Sequence, residues 1–213
     1  GDVYKRQAST TDWGQNTGNF ATITFSNGGV GTYTGGLQIS DNGGRAVVNL
    51  LSGGQLNANN LIVGSAGAAA TITIAGGTLN TLSAAQFNNG ALVNLTSGGL
   101  LLNGNTTFNT GATLNRTGGN LTLATGQTLA FNGGVGTTNS SLGLPNGASI
   151  RVTNAGRFDL GGFLDIGSGV ATGSLAVDGA NSRITALGTS DWGANSGNTA
   201  TVTFSNSGAG TFN

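Results

Sequence analysis

The chain has 213 residues with seven basic and seven acidic side chains, every acid an Asp, so the formal net charge is zero and nothing marks nucleic acid or an anionic membrane surface as a partner. Cys, His and Met are absent, which removes thiol nucleophiles, disulfides, His–Cys zinc sites and every His-based catalytic triad. Only 7% of residues are charged, against roughly a quarter in an average soluble chain, so the surface must be built from Thr, Ser, Asn and Gly.

Taken in order, the chain opens on GDVYKRQ, residues 1–7, which holds three of the charges and the only Lys. Its composition sets it apart as a non-native or disordered leader, and residues 8–213 are read as one β-solenoid segment truncated at both ends. No apolar run approaches the ~20 residues of a membrane span, so membrane insertion of this segment is not expected. Next comes TTDWGQNTGNFATITFSNGGVGTY, Thr10–Tyr33, which returns as TSDWGANSGNTATVTFSNSGAGTF, Thr189–Phe212.

Within that block ATITF, Ala21–Phe25, is one of eight copies of a single strand. The others begin at Ala46, Ala70, Ala91, Ala112, Ala148, Gly173 and Ala200. Their spacings run from 21 to 27 residues apart from one interval of 36 between Ala112 and Ala148. About two dozen residues suffice for three short strands and their turns, one coil of a stacked β-solenoid, in which no unit buries its apolar side until a neighbour covers it. About eight coils are expected.

The third position of each copy reads Ile23, Val48, Ile72, Val93, Leu114, Ile150, Leu175 and Val202, and the fifth is apolar everywhere except Arg116. Between them lie Thr24, Asn49, Thr73, Asn94, Asn115, Arg151, Ala176 and Thr203. Period two therefore predicts the third and fifth columns inside and the fourth in water. Turn formers follow each copy, Asn27 and Gly76 among them. A second strand is expected at LQIS (Leu37), LIVG (Leu61), AQFN (Ala85), TTFN (Thr106), LAFN (Leu129) and LDIG (Leu164), with Trp13 and Trp192 in the slots of Val63 and Ile166 as core plugs or turn anchors.

Two irregularities stand out. The 36-residue interval contains residues 132–147 and the only Pro, Pro145, and reads as a loop or a degenerate coil. Arg116 enters a buried column between Leu95 and Val152 with no acid between Asp41 and Asp159, which predicts an unpaired charge and an irregular, weak stretch over residues 116–147.

GSLAVDGANSRIT at Gly173–Thr185, NLIVGSAG at Asn60–Gly67 and ATITIAGGTL at Ala70–Leu79 resemble the glycine-rich repeats of bacterial autotransporter (type V secretion) passengers and PEP-CTERM-associated surface proteins. The resemblance implies a right-handed parallel β-helix at the bacterial cell surface or outside the cell, used as a stalk, adhesin or matrix component. Its implied partners are a host or neighbouring-cell surface or extracellular matrix. No catalytic motif of the family carries over to numbered positions.

The residues themselves offer one candidate site. If LDIG and SDWG stack in register, Asp165 and Asp191 stand on neighbouring coils with backbones ~4.8 Å apart, which suits a calcium ion or a glycosidase pair. Two exposed Asp that splay into water are the simpler explanation, and no other cofactor is indicated. A carbohydrate-active β-helix is the alternative reading, marked by charges gathered in one groove, whereas a structural or adhesive segment without enzyme activity is the main one. An ice-binding ladder would need the Thr-x-Thr pairs at Thr22/Thr24, Thr71/Thr73 and Thr201/Thr203 to align, and Val47/Asn49 and Leu92/Asn94 interrupt it.

Overall fold

An alternating strand has one apolar side to bury, and in the computed structural model the strands stack in parallel from turn to turn, most of them pairing with the strand one turn further along the chain, so that these sides meet inside. The structure describes residues 5–7, 11–65, 67–167 and 172–213. Among these residues there is no helix, and three faces of parallel strands close around one apolar core. About eight turns at ~4.8 Å each make the body about 40 Å long. Of the expected leader, residues 1–4 lie outside the described residues, and the backbone of Lys5–Gln7 pairs with Gly31–Tyr33.

The first face carries Phe20–Phe25, Arg45–Leu51, the opening halves of Ala69–Thr81 and Ala91–Leu102, Thr113–Arg116, Val135–Thr138, Arg157–Leu160, Arg183–Ala186 and Ala209–Phe212. On the second face lie Val30–Tyr33, Gln55–Ala58, the closing halves of the two long strands, Asn120–Leu123, Leu142–Leu144 and Leu164–Ile166. The third face is a separate nine-stranded sheet running from Thr11–Gln15 to Thr199–Ser205. The strands that open the second face, VGTY among them, have weak alternation and escaped the sequence reading.

Where the faces meet, the chain turns through left-handed residues such as Asn27 (φ 53°) and Gly76 (φ 93°), a conformation that Asn tolerates and Gly adopts freely. Corner side chains stack too. Asn103 donates to Asn80 (2.6 Å) and Asn80 to Asn57 (3.2 Å), while Asn132 donates to Asn109 (3.1 Å) and Asn109 to Asn88 (2.8 Å). Asn57, Asn80, Asn109 and Asn132 both give and accept, so a repeated Asn satisfies its neighbour's polar atoms from turn to turn.

The expected columns hold. Val48, Ile72, Val93, Leu114 and Ile150 are fully buried, as are Leu50, Ile74, Leu95, Val152 and Val177, and the intervening fourth residues face outward. In the first and last turns Ile23, Phe25 and Val202 are half-buried and Phe204 is exposed, because only one neighbouring turn covers them.

The copies do not stack as one column, however. Those at Ala21, Ala46, Ala70, Ala91 and Ala112 lie on the first face, whereas Ala148–Thr153, Thr172–Asp178 and Thr199–Ser205 lie on the third, continuing the strands that begin at Leu37, Leu61 and Ala85. The switch occurs in the 36-residue interval. Leu129 stands opposite Ile150, so TLAFN (Thr128–Asn132) is itself a further copy of the repeated strand, and it follows Thr113–Arg116 and Asn120–Leu123 without the usual third strand between. One unit lacking a side moves every later copy round by one face. The backbone turns stay regular, offset by 21 residues at Leu92 and Thr113 and by 22 at Thr113 and Val135.

The stretch 116–147 holds the strands Asn120–Leu123, Thr128–Asn132, Val135–Thr138 and Leu142–Leu144, so residues 132–147 run within the coil and are not an extruded loop. On the second face no ladder joins Asn120–Leu123 to Leu142–Leu144. The expectation of an unpaired Arg116 is corrected. Its neighbours are Leu95 and Thr138, not Val152, and although only 8% exposed it is fully engaged. Nε and Nη2 donate to the carbonyl of Gly119 (3.1 and 2.7 Å), and Nη1 donates to the Ser141 carbonyl (3.2 Å) and the Thr138 hydroxyl (3.5 Å). Burial pushes the guanidinium below its ordinary value, and the carbonyls compensate the desolvation.

The same 24-residue block thus sits on two different settings of the triangle. Trp13 lies opposite Ile39 on the third face, and Trp192 lies opposite Ile166 on the second. Yet both blocks build the same aromatic cluster. Trp13 meets Tyr33 edge-on at 5.3 Å and Trp192 meets Phe212 edge-on at 4.8 Å, with Phe25 and Phe204 beside them.

Candidate functional site

Charges on the described surface are few and divided among the faces. Asp165 and Asp191 occupy the second face, where the bridge between Ile166 and Trp192 sets the two Asp on adjacent turns. The Asp191 backbone N–H donates to Asp165 Oδ1 at 3.4 Å, and Asp191 itself is exposed. Two carboxylates offer at most about four of the six to eight oxygens that calcium takes, and one of theirs already accepts a hydrogen bond. Among the described residues no group of three or more His, Cys, Asp or Glu could hold a metal ion.

On the third face, a polar groove of about 570 Å³ runs over the turns around Thr107, Thr128, Ala130, Arg151, Thr153 and Asp178. Arg151 rises between Ala130 and Ala176, its direct neighbours on either side. Asp178 accepts from Ser205 Oγ and Asn206 Nδ2 at 2.7 Å each, and these bonds, with Arg151 nearby, hold its carboxyl below the usual carboxylate range. The Ser205 contact is the largest cause.

On the first face, Arg157 and Arg183 are direct partners on adjacent turns, and Asp159 pairs with Arg157 Nε. The sequence reading passed over this group. A signal was present in R-x-D and in a second Arg one coil later, and it becomes legible only once the turn length there is known.

The Thr pairs are split as well. Thr22/Thr24 and Thr71/Thr73 are on the first face with Val47/Asn49 between them, and Thr201/Thr203 are on the third, so they form no common ladder.

By fold, the chain is a parallel β-solenoid protein. No family model and no curated protein matches it. Among solved structures it is similar to the crystal structure of a TibA fragment, residues 55–350, hyper-glycosylated by TibC catalysis, at 20% identity and a TM-score of 0.36 over 99% of this chain and 94% of that one.

Proposed function

We propose that this chain is a structural or adhesive segment of a secreted or surface-displayed bacterial protein, an autotransporter-passenger-like stalk or adhesin that acts without catalysis. One observation carries the reading: a single core of stacked apolar side chains enclosed by three faces of parallel strands and clad outside in Ser, Thr and Asn, with hydrogen-bonded Asn side chains from turn to turn. Such a body is a rod whose stability is summed from one turn to the next, with no movable part required. A composition free of Cys and Met suits an oxidising exterior. The partner would be a host or neighbouring-cell surface or extracellular matrix.

The distribution of charge favours this over a carbohydrate-active enzyme. Asp165 and Asp191 are the carboxyl pair that the described residues set on adjacent turns, and the arginines lie on the other faces, Arg151 on the third and Arg157 and Arg183 on the first, so that pair has no charged groove around it to hold a polysaccharide. The test is to measure binding of the labelled chain to bacterial and animal cells and to matrix proteins, alongside release of reducing or unsaturated ends from polysaccharides. Saturable attachment without product release supports the proposal. Turnover of a polysaccharide overturns it.

A further inference from the structure

We infer that Arg157 and Arg183 form a binding site for the carboxylate or sulfate group of an acidic polysaccharide. This names a ligand class for the adhesive reading above and takes its biological setting from it, but it stands on a separate set of contacts. The two arginines are register partners on adjacent parallel strands, so their Cα atoms stand about 4.8 Å apart and both side chains leave the same outer surface. Like charges placed directly opposite one another destabilise a sheet unless something neutralises them.

Asp159 neutralises only one. Its carboxylate takes Nε of Arg157, which leaves the outer Nη edge of that guanidinium free and fixes its plane. Arg183 has no hydrogen-bond or ion-pair partner among the described residues and is exposed. In a chain of zero net charge this is one uncompensated cation beside a second, oriented donor fork. Two forks one strand apart match the geometry of a single oxyanion.

The surroundings choose the kind of molecule that carries the anion. The two arginines line a shallow cavity of about 350 Å³ with Thr137, Asp159, Thr185 and Leu187. Thr hydroxyls and the Asp159 carboxylate suit the hydroxyl groups of a sugar, and the exposed Leu187 offers an apolar floor for a ring face. A nucleic acid or an anionic membrane would call for a run of phosphate contacts, and among the described residues the first face exposes only this pair and the distant Arg45, its other arginine, Arg116, being buried.

The test is direct binding in solution at low and moderate salt, using polygalacturonate oligosaccharides, sulfated heparin oligosaccharides, neutral maltooligosaccharides, free sodium sulfate and a single-stranded oligonucleotide. Acidic oligosaccharides should bind and neutral ones should not. Arg183→Gln should weaken binding at least tenfold, Arg183→Lys should retain part of it, and the remote Arg45→Gln should change nothing. The proposal is overturned if acidic oligosaccharides do not bind, if Arg45→Gln loses as much as Arg183→Gln, if free sulfate binds as tightly as the sulfated oligosaccharide, or if the oligonucleotide binds in their place. Attachment to cells that survives Arg183→Gln leaves the adhesive reading standing and removes this site from it.

Discussion

The ring of Phe131 on the third face stacks on the ring of Phe158 on the first, centroid to centroid at 4.6 Å, across the α-carbon of Gly136. Phe131 also continues a ladder with Phe108 and Phe87, whose centroids are 5.4 and 4.4 Å apart in turn. At the first-face position between Leu114 and Phe158 the chain has Gly because a Cβ there would stand 2.4 Å from the Phe131 ring and 2.8 Å from Phe158. All four rings are fully buried and cannot retreat.

Gly136→Ala should therefore destabilise the protein by about 1–3 kcal/mol, the usual cost of overpacking. Gly210 makes the same close approach to Phe204, at 2.5 Å, and to Phe212, at 2.6 Å, but Phe204 is 42% exposed and Phe212 half-buried in the last strand, so both rings can give. Gly210→Ala should cost clearly less than Gly136→Ala. Denaturant unfolding of both variants checks the contrast, and equal losses would contradict it.

Replacing Arg116 should hurt rather than help. Arg116→Leu leaves the carbonyls of Gly119 and Ser141 without their donor in a part-buried corner, at up to about 1–3 kcal/mol in all, the cost of one fully buried group left unsatisfied. Chemical denaturation gives the sign. A stabilised Arg116→Leu would mean that water reaches these carbonyls.

The register can be read from one pair of neighbours. Ile72 is fully buried and Thr73 looks outward between Asn49 and Asn94. Ile72→Asp should abolish cooperative unfolding, whereas Thr73→Asp should shift stability by less than about 0.5 kcal/mol. Far-ultraviolet circular dichroism through a thermal ramp distinguishes the two.

Acid should loosen the last turns first. The Asp178 carboxyl is held low by its bonds from Ser205 and Asn206, so its contribution is complete above the ordinary carboxylate value and is lost as pH falls through the depressed folded value. With no His in the chain, the melting temperature should be level between about pH 5 and 7 and fall below about pH 4. Asp178→Asn should fall less steeply over the acid range.

Asp165 and Asp191 supply too few oxygens for calcium, so millimolar calcium is expected to leave the melting temperature unchanged, whereas a rise that Asp165→Asn removes would establish the pair as a metal site. An unchanged melting temperature in calcium would leave Asp165 as an acceptor for the Asp191 amide on the next turn and nothing more.

Alternation with a period of two, repeated at intervals of about two dozen residues, was enough to show a β-solenoid, its buried columns and the pairing of Asp165 with Asp191, because each follows from local strand geometry and coil length. Which face a copy occupies is not a local property. ATITF and ATVTF, nearly identical and each within the same aromatic cluster, lie on different faces because one unit after Thr113–Arg116 lacks a strand, and such an omission rotates everything downstream without altering any residue there. Arg116 was misplaced for the same reason. Its neighbour across the turn is Thr138 rather than Val152, and the carbonyls that satisfy it come from corners whose positions only the closed triangle fixes.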